Sequence, residues 1–201
     1  MKKILITLTL VGATVAGFAQ GKIGLQNGTS TQVQLSATDY LAADASLKGL
    51  AVGQSAQLPS GAILIAGLYA GTSAGALSLY APNIGDPRGF LMNQTGGTAG
   101  LIPLTQYQFT SPLILGNAAA FAQIKVWDSA YATYEATPLT AYRGETSVFA
   151  FTTKTSYASL AASILPQSPI IVSATLIPEP TTAAIAGLGL ASMLILRRKK
   201  A

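Results

Sequence analysis

Short apolar runs separated by turn-forming residues organise most of the chain. Some runs alternate apolar and polar positions and others are continuously apolar, the two patterns of half-buried and fully buried strands. They predict strands over Thr31–Ala37, Ala62–Ala70, Ala76–Tyr80, Gly89–Asn93, Thr105–Phe109, Ala119–Asp128, Ala132–Ala136, Ser147–Thr153 and Ile170–Ile177. Breaks fall at Asn27-Gly28, Pro59-Ser60-Gly61, Gly71–Gly75, Pro82–Pro87, Gly96-Gly97, Pro103, Gly116-Asn117, Arg143-Gly144 and Pro166–Pro169. Gly and Pro at these points supply turn conformations that a strand interior rejects. Helical periodicity is weak, near Asp39–Leu50 and Ser156–Leu165 only. Eight or nine strands with short turns imply an all-β body, a single β-sandwich of immunoglobulin-like or jelly-roll type, with a barrel as the alternative. No repeat of 20–50 residues recurs, which argues against a solenoid or propeller.

Both ends depart from this pattern. Lys2 and Lys3 precede an apolar run from Ile4 to Val15, and Gly17-Phe18-Ala19 places small residues at the −3 and −1 positions of a cut between Ala19 and Gln20. Charge, apolar run and small-residue site in that order predict a signal peptide over residues 1–19, read by the general secretion machinery and removed by signal peptidase. At the other end, Pro178-Glu179-Pro180 leads into Thr181-Thr182, an apolar stretch from Ala183 to Leu196, and Arg197, Arg198, Lys199 and Lys200. A helix over 183–196 would span about 21 Å, short of the roughly 30 Å of bilayer hydrocarbon. Its basic end must therefore snorkel to the interface, and it marks the cytoplasmic side, leaving the body outside. Ala183, Gly187 and Ala191 give this helix a small-residue face. The expected division is thus 1–19 signal, 20–177 exported domain and 178–201 membrane tail, with no interdomain linker.

Composition narrows the chemistry. The 201 residues include no Cys and no His. Disulfides, Cys/His metal centres, thiolate nucleophiles and imidazole-based triads are therefore excluded. The net charge of +5 lies on the two ends. Without Lys2, Lys3 and the four terminal bases, six bases face seven acids, a net of −1. The body carries no basic stripe, and no nucleic-acid partner is expected.

Pro178-Glu179-Pro180, the short helix with Gly187-Leu188-Gly189-Leu190, and the Arg/Lys end resemble the PEP-CTERM sorting signal of Gram-negative bacteria, a tail also described as an ice-binding-protein-like C-terminal domain. That resemblance covers about 24 residues and concerns location. It implies recognition by an exosortase, a membrane-embedded transpeptidase that cleaves near Pro-Glu-Pro. It implies an inner-membrane precursor, delivery to the cell surface or extracellular matrix, and an association with exopolysaccharide and biofilm. The stretch Ala122–Asp128, with Tyr131, Tyr134-Glu135 and Ser147-Val148-Phe149, also resembles exported proteins bearing such tails. That similarity implies a β-sandwich and carries no activity with it.

Within the body, Trp127, Asp128, Tyr131, Tyr134 and Glu135 form the densest polar-aromatic cluster. Exposed, Trp127, Asp128, Tyr131 and Tyr134 would suit glycan contact, the rings stacking on a sugar and the carboxylate binding hydroxyls. The competing and favoured reading packs Trp127 on the core and uses Asp128 to cap a turn near Asp128–Ala130. Asp128 with Glu135 is also the pair a surface polysaccharide hydrolase would require, although six acids before the tail make a chance pairing easy. Asp39, Asp44, Asp86 and Asp128 lack the Asp-x-Asp spacing of a calcium loop, and no metal or cofactor is expected. Gly71-Thr72-Ser73-Ala74-Gly75 and Gly96-Gly97-Thr98-Ala99-Gly100 lack the Lys-Ser/Thr of a phosphate loop and read as turns. Asn27-Gly28-Thr29 and Asn93-Gln94-Thr95 match the glycosylation pattern and serve at most as surface markers. The expectation is a structural or adhesive envelope protein without enzymatic activity, with a carbohydrate-binding module and a surface hydrolase as alternatives.

Overall fold

The computed structural model describes residues 20–110, 114–157, 165 and 168–175. The expected signal peptide with Ala19, the Pro178-Glu179-Pro180 motif, the apolar helix and Arg197–Lys200 lie outside the described residues, as does most of the weakly helical Ser156–Leu165.

The body is all-β. Its strands are β1 (Lys22–Leu25), β2 (Val33–Leu35), β3 (Leu64–Gly71), β4 (Ser78–Tyr80), β5 (Phe90–Met92), β6 (Thr105–Gln108), β7 (Ala119–Asp128), β8 (Arg143–Glu145), β9 (Phe149–Thr152) and β10 (Ile170–Val172). The helical turns among the described residues are two 3₁₀ segments, Thr29–Thr31 and Ala42–Leu47. β3 and β7, the longest strands among the described residues, pair antiparallel from Leu64↔Asp128 to Gly71↔Phe121 and form the centre of a six-stranded sheet. β4 and β5 share the free edge of β3, and β8 and β9 share that of β7. Two further pairs complete the fold, β1 antiparallel to β6 and β2 parallel to β10.

Period-two alternation sorts the side chains of the central pair. Leu64, Ala66, Leu68 and Ala70 of β3, with Ala120, Ala122, Ile124 and Val126 of β7, enter the main core. Ile23 and Leu25 of β1, Val33 and Leu35 of β2, Tyr107 of β6, and Ile170 and Val172 of β10 fill the same core. The opposite face of the sheet carries Ile65, Tyr69 and Trp127 in a second, smaller cluster closed by Tyr134. Every residue of β3 is buried because both faces of the sheet are covered, which explains its continuously apolar sequence.

The strand pattern departs from expectation in four places. Lys22–Leu25, too short to stand out, forms β1. Ala132–Ala136 forms no return strand: Thr133 accepts a hydrogen bond from the Ala136 amide at 3.1 Å, and its carbonyl accepts one from the Thr137 hydroxyl at 3.0 Å. These local bonds favour turns over a ladder. Arg143-Gly144, expected to break the chain, lies in β8. Asp39–Leu50 holds the 3₁₀ turn Ala42–Leu47, not a regular helix.

That 3₁₀ turn is anchored by Asp44, which is fully buried. Its Oδ1 accepts from the Ser60 amide at 2.6 Å and its Oδ2 from the Tyr142 hydroxyl at 2.6 Å. The Leu41 amide donates to the same tyrosine oxygen at 2.9 Å. A carboxylate considered for calcium is thus a strut between distant segments, its oxygens satisfied by protein donors.

Candidate functional site

Trp127, near the end of β7, is the centre of the sheet's second face. Its cross-strand neighbour is Ile65, and the glycine one step along β3, Gly67, makes room for the indole. A Cβ on Gly67 would lie 2.7 Å from Trp127 Cη2 and 2.8 Å from the Arg88 carbonyl. The segment 129–142 folds back over the ring. Trp127 Nε1 donates to the Tyr131 carbonyl at 3.2 Å, and Asp128 Oδ1 accepts from the Ala130 amide at 3.0 Å. Arg88 holds the turn from outside, its Nη1 donating to the carbonyls of Ser129 at 2.8 Å and Tyr131 at 2.9 Å. Its remaining donors grip Asp86 in a two-pronged ion pair, Nε to Oδ1 at 3.0 Å and Nη2 to Oδ2 at 2.8 Å.

The indole is 0% exposed and offers no face to a sugar. Glycan contact through Trp127 is therefore corrected: the large apolar ring gains more from core burial than from a place on the surface. Asp128 caps its turn, Tyr131 is half-buried, and Tyr134 is buried beneath two cations. Lys125 Nζ lies 4.3 Å from the Tyr69 ring centre and 4.8 Å from that of Tyr134. The Arg143 guanidinium covers Tyr134 at 4.1 Å, a favourable approach of a cation to an aromatic face. Lys125 also pairs with Glu135 Oε1 at 2.7 Å, and the Tyr69 hydroxyl donates to Glu135 Oε2 at 2.9 Å.

These contacts set the protonation states. Burial, then the neighbouring Glu135, pushes the Tyr69 phenol above its ordinary range. Burial pushes Glu135 up, but hydrogen bonds from Lys125 and Tyr69 outweigh it, and the carboxyl lies below its usual value. A glycosidase acid needs the opposite shift. Asp128 and Glu135 are engaged in a turn and an ion pair. Among the described residues no three acidic side chains gather where a metal could be held. Asp39, Asp44, Asp86 and Asp128 serve separate local roles. Of the glycine-rich stretches, Gly71 ends β3 while 72–75 and 96–100 lie in bends and turns. Of the two glycosylation patterns, Asn27 is buried, with Nδ2 donating to the Thr31 and Gly100 carbonyls and Oδ1 accepting from the Ile102 amide, whereas Asn93 is exposed. Gln20, the expected first residue after the signal cut, bridges to Leu115 and accepts a hydrogen bond from the Gln108 side chain.

The Asp86–Arg88 pair predicts an acid-labile fold. The Arg88 side chain holds Asp86 below the ordinary carboxylate range. A carboxylate depressed in the folded state stabilises above its unfolded value of about 3.9, and that contribution disappears as pH falls through the lower folded value. The melting temperature should therefore drop on acidification below about pH 4. Asp86→Asn should cost about 1 kcal/mol at neutral pH and flatten part of that drop. Melting curves across pH 2–7 check this, and superimposable normalised profiles would show that the staple contributes nothing.

A concave site of the body adjoins the Trp127 cluster, with Leu91 bordering both. A groove of about 600 Å³ runs between the β4–β5 loop and the start of β6, lined by Asn83, Ile84, Phe90, Leu91, Leu104 and Gln106 among others. A recess of about 230 Å³ adjoins it, lined by Gln26, Gln54, Thr98 and Leu101 among others, and the two share Gln94 and Pro103. Ile84 is 88% exposed and Leu104 49%. Gln54 is buried and held at a positive φ of 54°. Its Nε2 donates to the Leu101 carbonyl at 3.3 Å, which fixes the amide's orientation, and its Oε1 has no donor. Sequence reading passed over this region because Pro82–Pro87, Gly96-Gly97 and Pro103 register there only as breaks. The available signal was the coincidence of large apolar residues with Asn83, Asn93 and Gln94 in turn segments. Compared with known proteins, the chain matches no family model, no curated protein and no solved structure.

Proposed function

We propose that this chain is an exported cell-envelope or extracellular-matrix protein, sorted through its PEP-CTERM-like tail, whose body is structural or adhesive and serves exopolysaccharide and biofilm. The observation that carries the reading is the order of the tail: Pro178-Glu179-Pro180, a short apolar stretch, then Arg197–Lys200. The partners are signal peptidase, acting between Ala19 and Gln20, and an exosortase-type transpeptidase acting near Pro-Glu-Pro. The two prolines lack backbone donors and keep their neighbours extended, as a protease substrate requires. Glu179 offers one charge to a basic recognition group.

For the body we propose a β-sandwich. Support comes from the six-stranded sheet sharing one core with β1, β2, β6 and β10, in the manner of two layers closing on a common interior. The reading as a surface polysaccharide hydrolase gains no support from Asp128 and Glu135. The reading as a glycan binder through Trp127 is set aside with the burial of that ring.

Sorting is tested by Glu179→Ala in a host carrying the matching exosortase. Export should persist while full-length precursor accumulates in the membrane. Neutral replacements of Arg197–Lys200 should instead weaken membrane retention, because fixed positive charge no longer resists translocation. Fractionation with immunoblotting separates the two defects, and a Glu179→Ala chain processed like the original would reduce the tail to a plain anchor.

A further inference from the structure

We propose that the groove between the β4–β5 loop and β6, together with its adjoining recess, binds a segment of uncharged polysaccharide. This site adjoins the Trp127 cluster, Leu91 bordering both, does not use the indole, and does not depend on the sorting of the tail.

The lining has the two surfaces a sugar ring requires. A pyranose presents apolar C–H faces and a rim of hydroxyls that both donate and accept. Ile84, Phe90, Leu91, Pro103 and Leu104 supply apolar contact. Ile84 and Leu104 are both exposed and border the same groove, so their apolar surface is shared by one concavity and not scattered singly. Asn93, Gln94 and Gln106 supply amides, each able to donate and accept at once and so to match neighbouring hydroxyls. Asn93 and Gln94 are exposed. The volume of about 600 Å³ falls among those of small-ligand sites, which are mostly apolar with a few directing polar groups.

Charge selects within the sugars. Among the described residues no Lys or Arg lines either cavity, and the one carboxylate there, Asp86, is already gripped by Arg88. A uronate or sulfated polymer would find no cation to pair with. A neutral chain loses nothing by that.

Gln54 provides the independent sign of a ligand. It lines the recess and is 2% exposed, with Oε1 lacking any donor. Rotating the amide would set its oxygen against the Leu101 carbonyl, so the orphan atom is an acceptor and not a misassigned nitrogen. A buried acceptor without a partner costs free energy. The atom is closed off from solvent, with Gly97 packed against it, so a hydroxyl entering the recess from the groove would satisfy it once the turn at Gly96-Gly97 yields. Gln94, shared by both cavities, would bridge a sugar in the groove and one in the recess.

The test uses the purified full chain in a non-glycosidic detergent, run on native gels cast with dextran, laminarin, galactomannan or alginate. At least one of the three neutral polymers should retard the protein, and anionic alginate should not. Gln94→Ala and Ile84→Ser should each weaken binding roughly 3- to 10-fold, as expected for one lost hydrogen bond or apolar contact. Both side chains are exposed, so the melting temperature should stay within a degree or two. Leu139→Ser, on the exposed segment covering Trp127, should bind like the original. No retardation by any neutral polymer, equal retardation by alginate, or unchanged binding in both groove variants would each overturn the proposal. Glu179→Ala should bind fully, so a failure of sorting and a failure of binding are read separately.

Discussion

Gly144→Val should leave the body unable to reach its folded state. Gly144 lies in β8 opposite Val126 of β7, and β10 passes directly over it. The Arg143 amide donates to the Ser173 carbonyl at 3.1 Å and the Ser173 amide returns the bond at 3.0 Å. This exchange ties the β2–β10 pair to the edge of the main sheet. A Cβ on Gly144 would sit 2.0 Å from the Ile171 carbonyl oxygen and 2.8 Å from its carbon. These are backbone atoms and cannot swing aside as a side chain would. Either β10 detaches or β8 leaves β7, and Ile170 and Val172 then leave the core. The loss should reach about 4–5 kcal/mol or more, a large share of the roughly 5–15 kcal/mol that holds a domain together. Far-ultraviolet spectra and denaturant titration read it directly. A cooperative transition at the original midpoint would show that β10 does not cross β8 this closely.

Trp127→Ala should rank next, as a stability defect and not a binding defect. Truncating a buried tryptophan typically costs about 3–5 kcal/mol, which for a chain of this size lowers the melting temperature by about 10 °C or more. The cavity would open between Ile65, Tyr69 and Tyr134, under a segment otherwise held by Arg88 and Asp128. Binding to a neutral polymer, scaled to the folded fraction, should be unchanged. Trp127 is the chain's one tryptophan, so fluorescence reports on this position alone. Emission should be blue-shifted and resistant to acrylamide. A red-shifted, readily quenched signal would return the ring to the surface and revive its reading as a stacking platform.

The sequence by itself determined the class of fold and the central strands. The run ending at Ala70 stands out because a strand buried on both faces must be apolar at nearly every position, and Ala119–Asp128 stands out through its alternation, which turns every second residue to the core. Tertiary structure decided what lay between them. Ala132–Ala136 carries strand-like residues, yet Thr133 bonds locally and the segment serves as a lid over Trp127. Arg143-Gly144 looks like a turn, yet it is a strand whose glycine exists for β10. Trp127 beside Asp128 reads equally well as a platform or as a core anchor, since one-dimensional order does not say which face of a sheet will be covered. The groove was the least legible element. Its residues come from the β4–β5 loop, the loop after β5 and the start of β6, with the recess adding the segments after β1 and around Gln54, and only packing brings their amides and apolar side chains into one concavity.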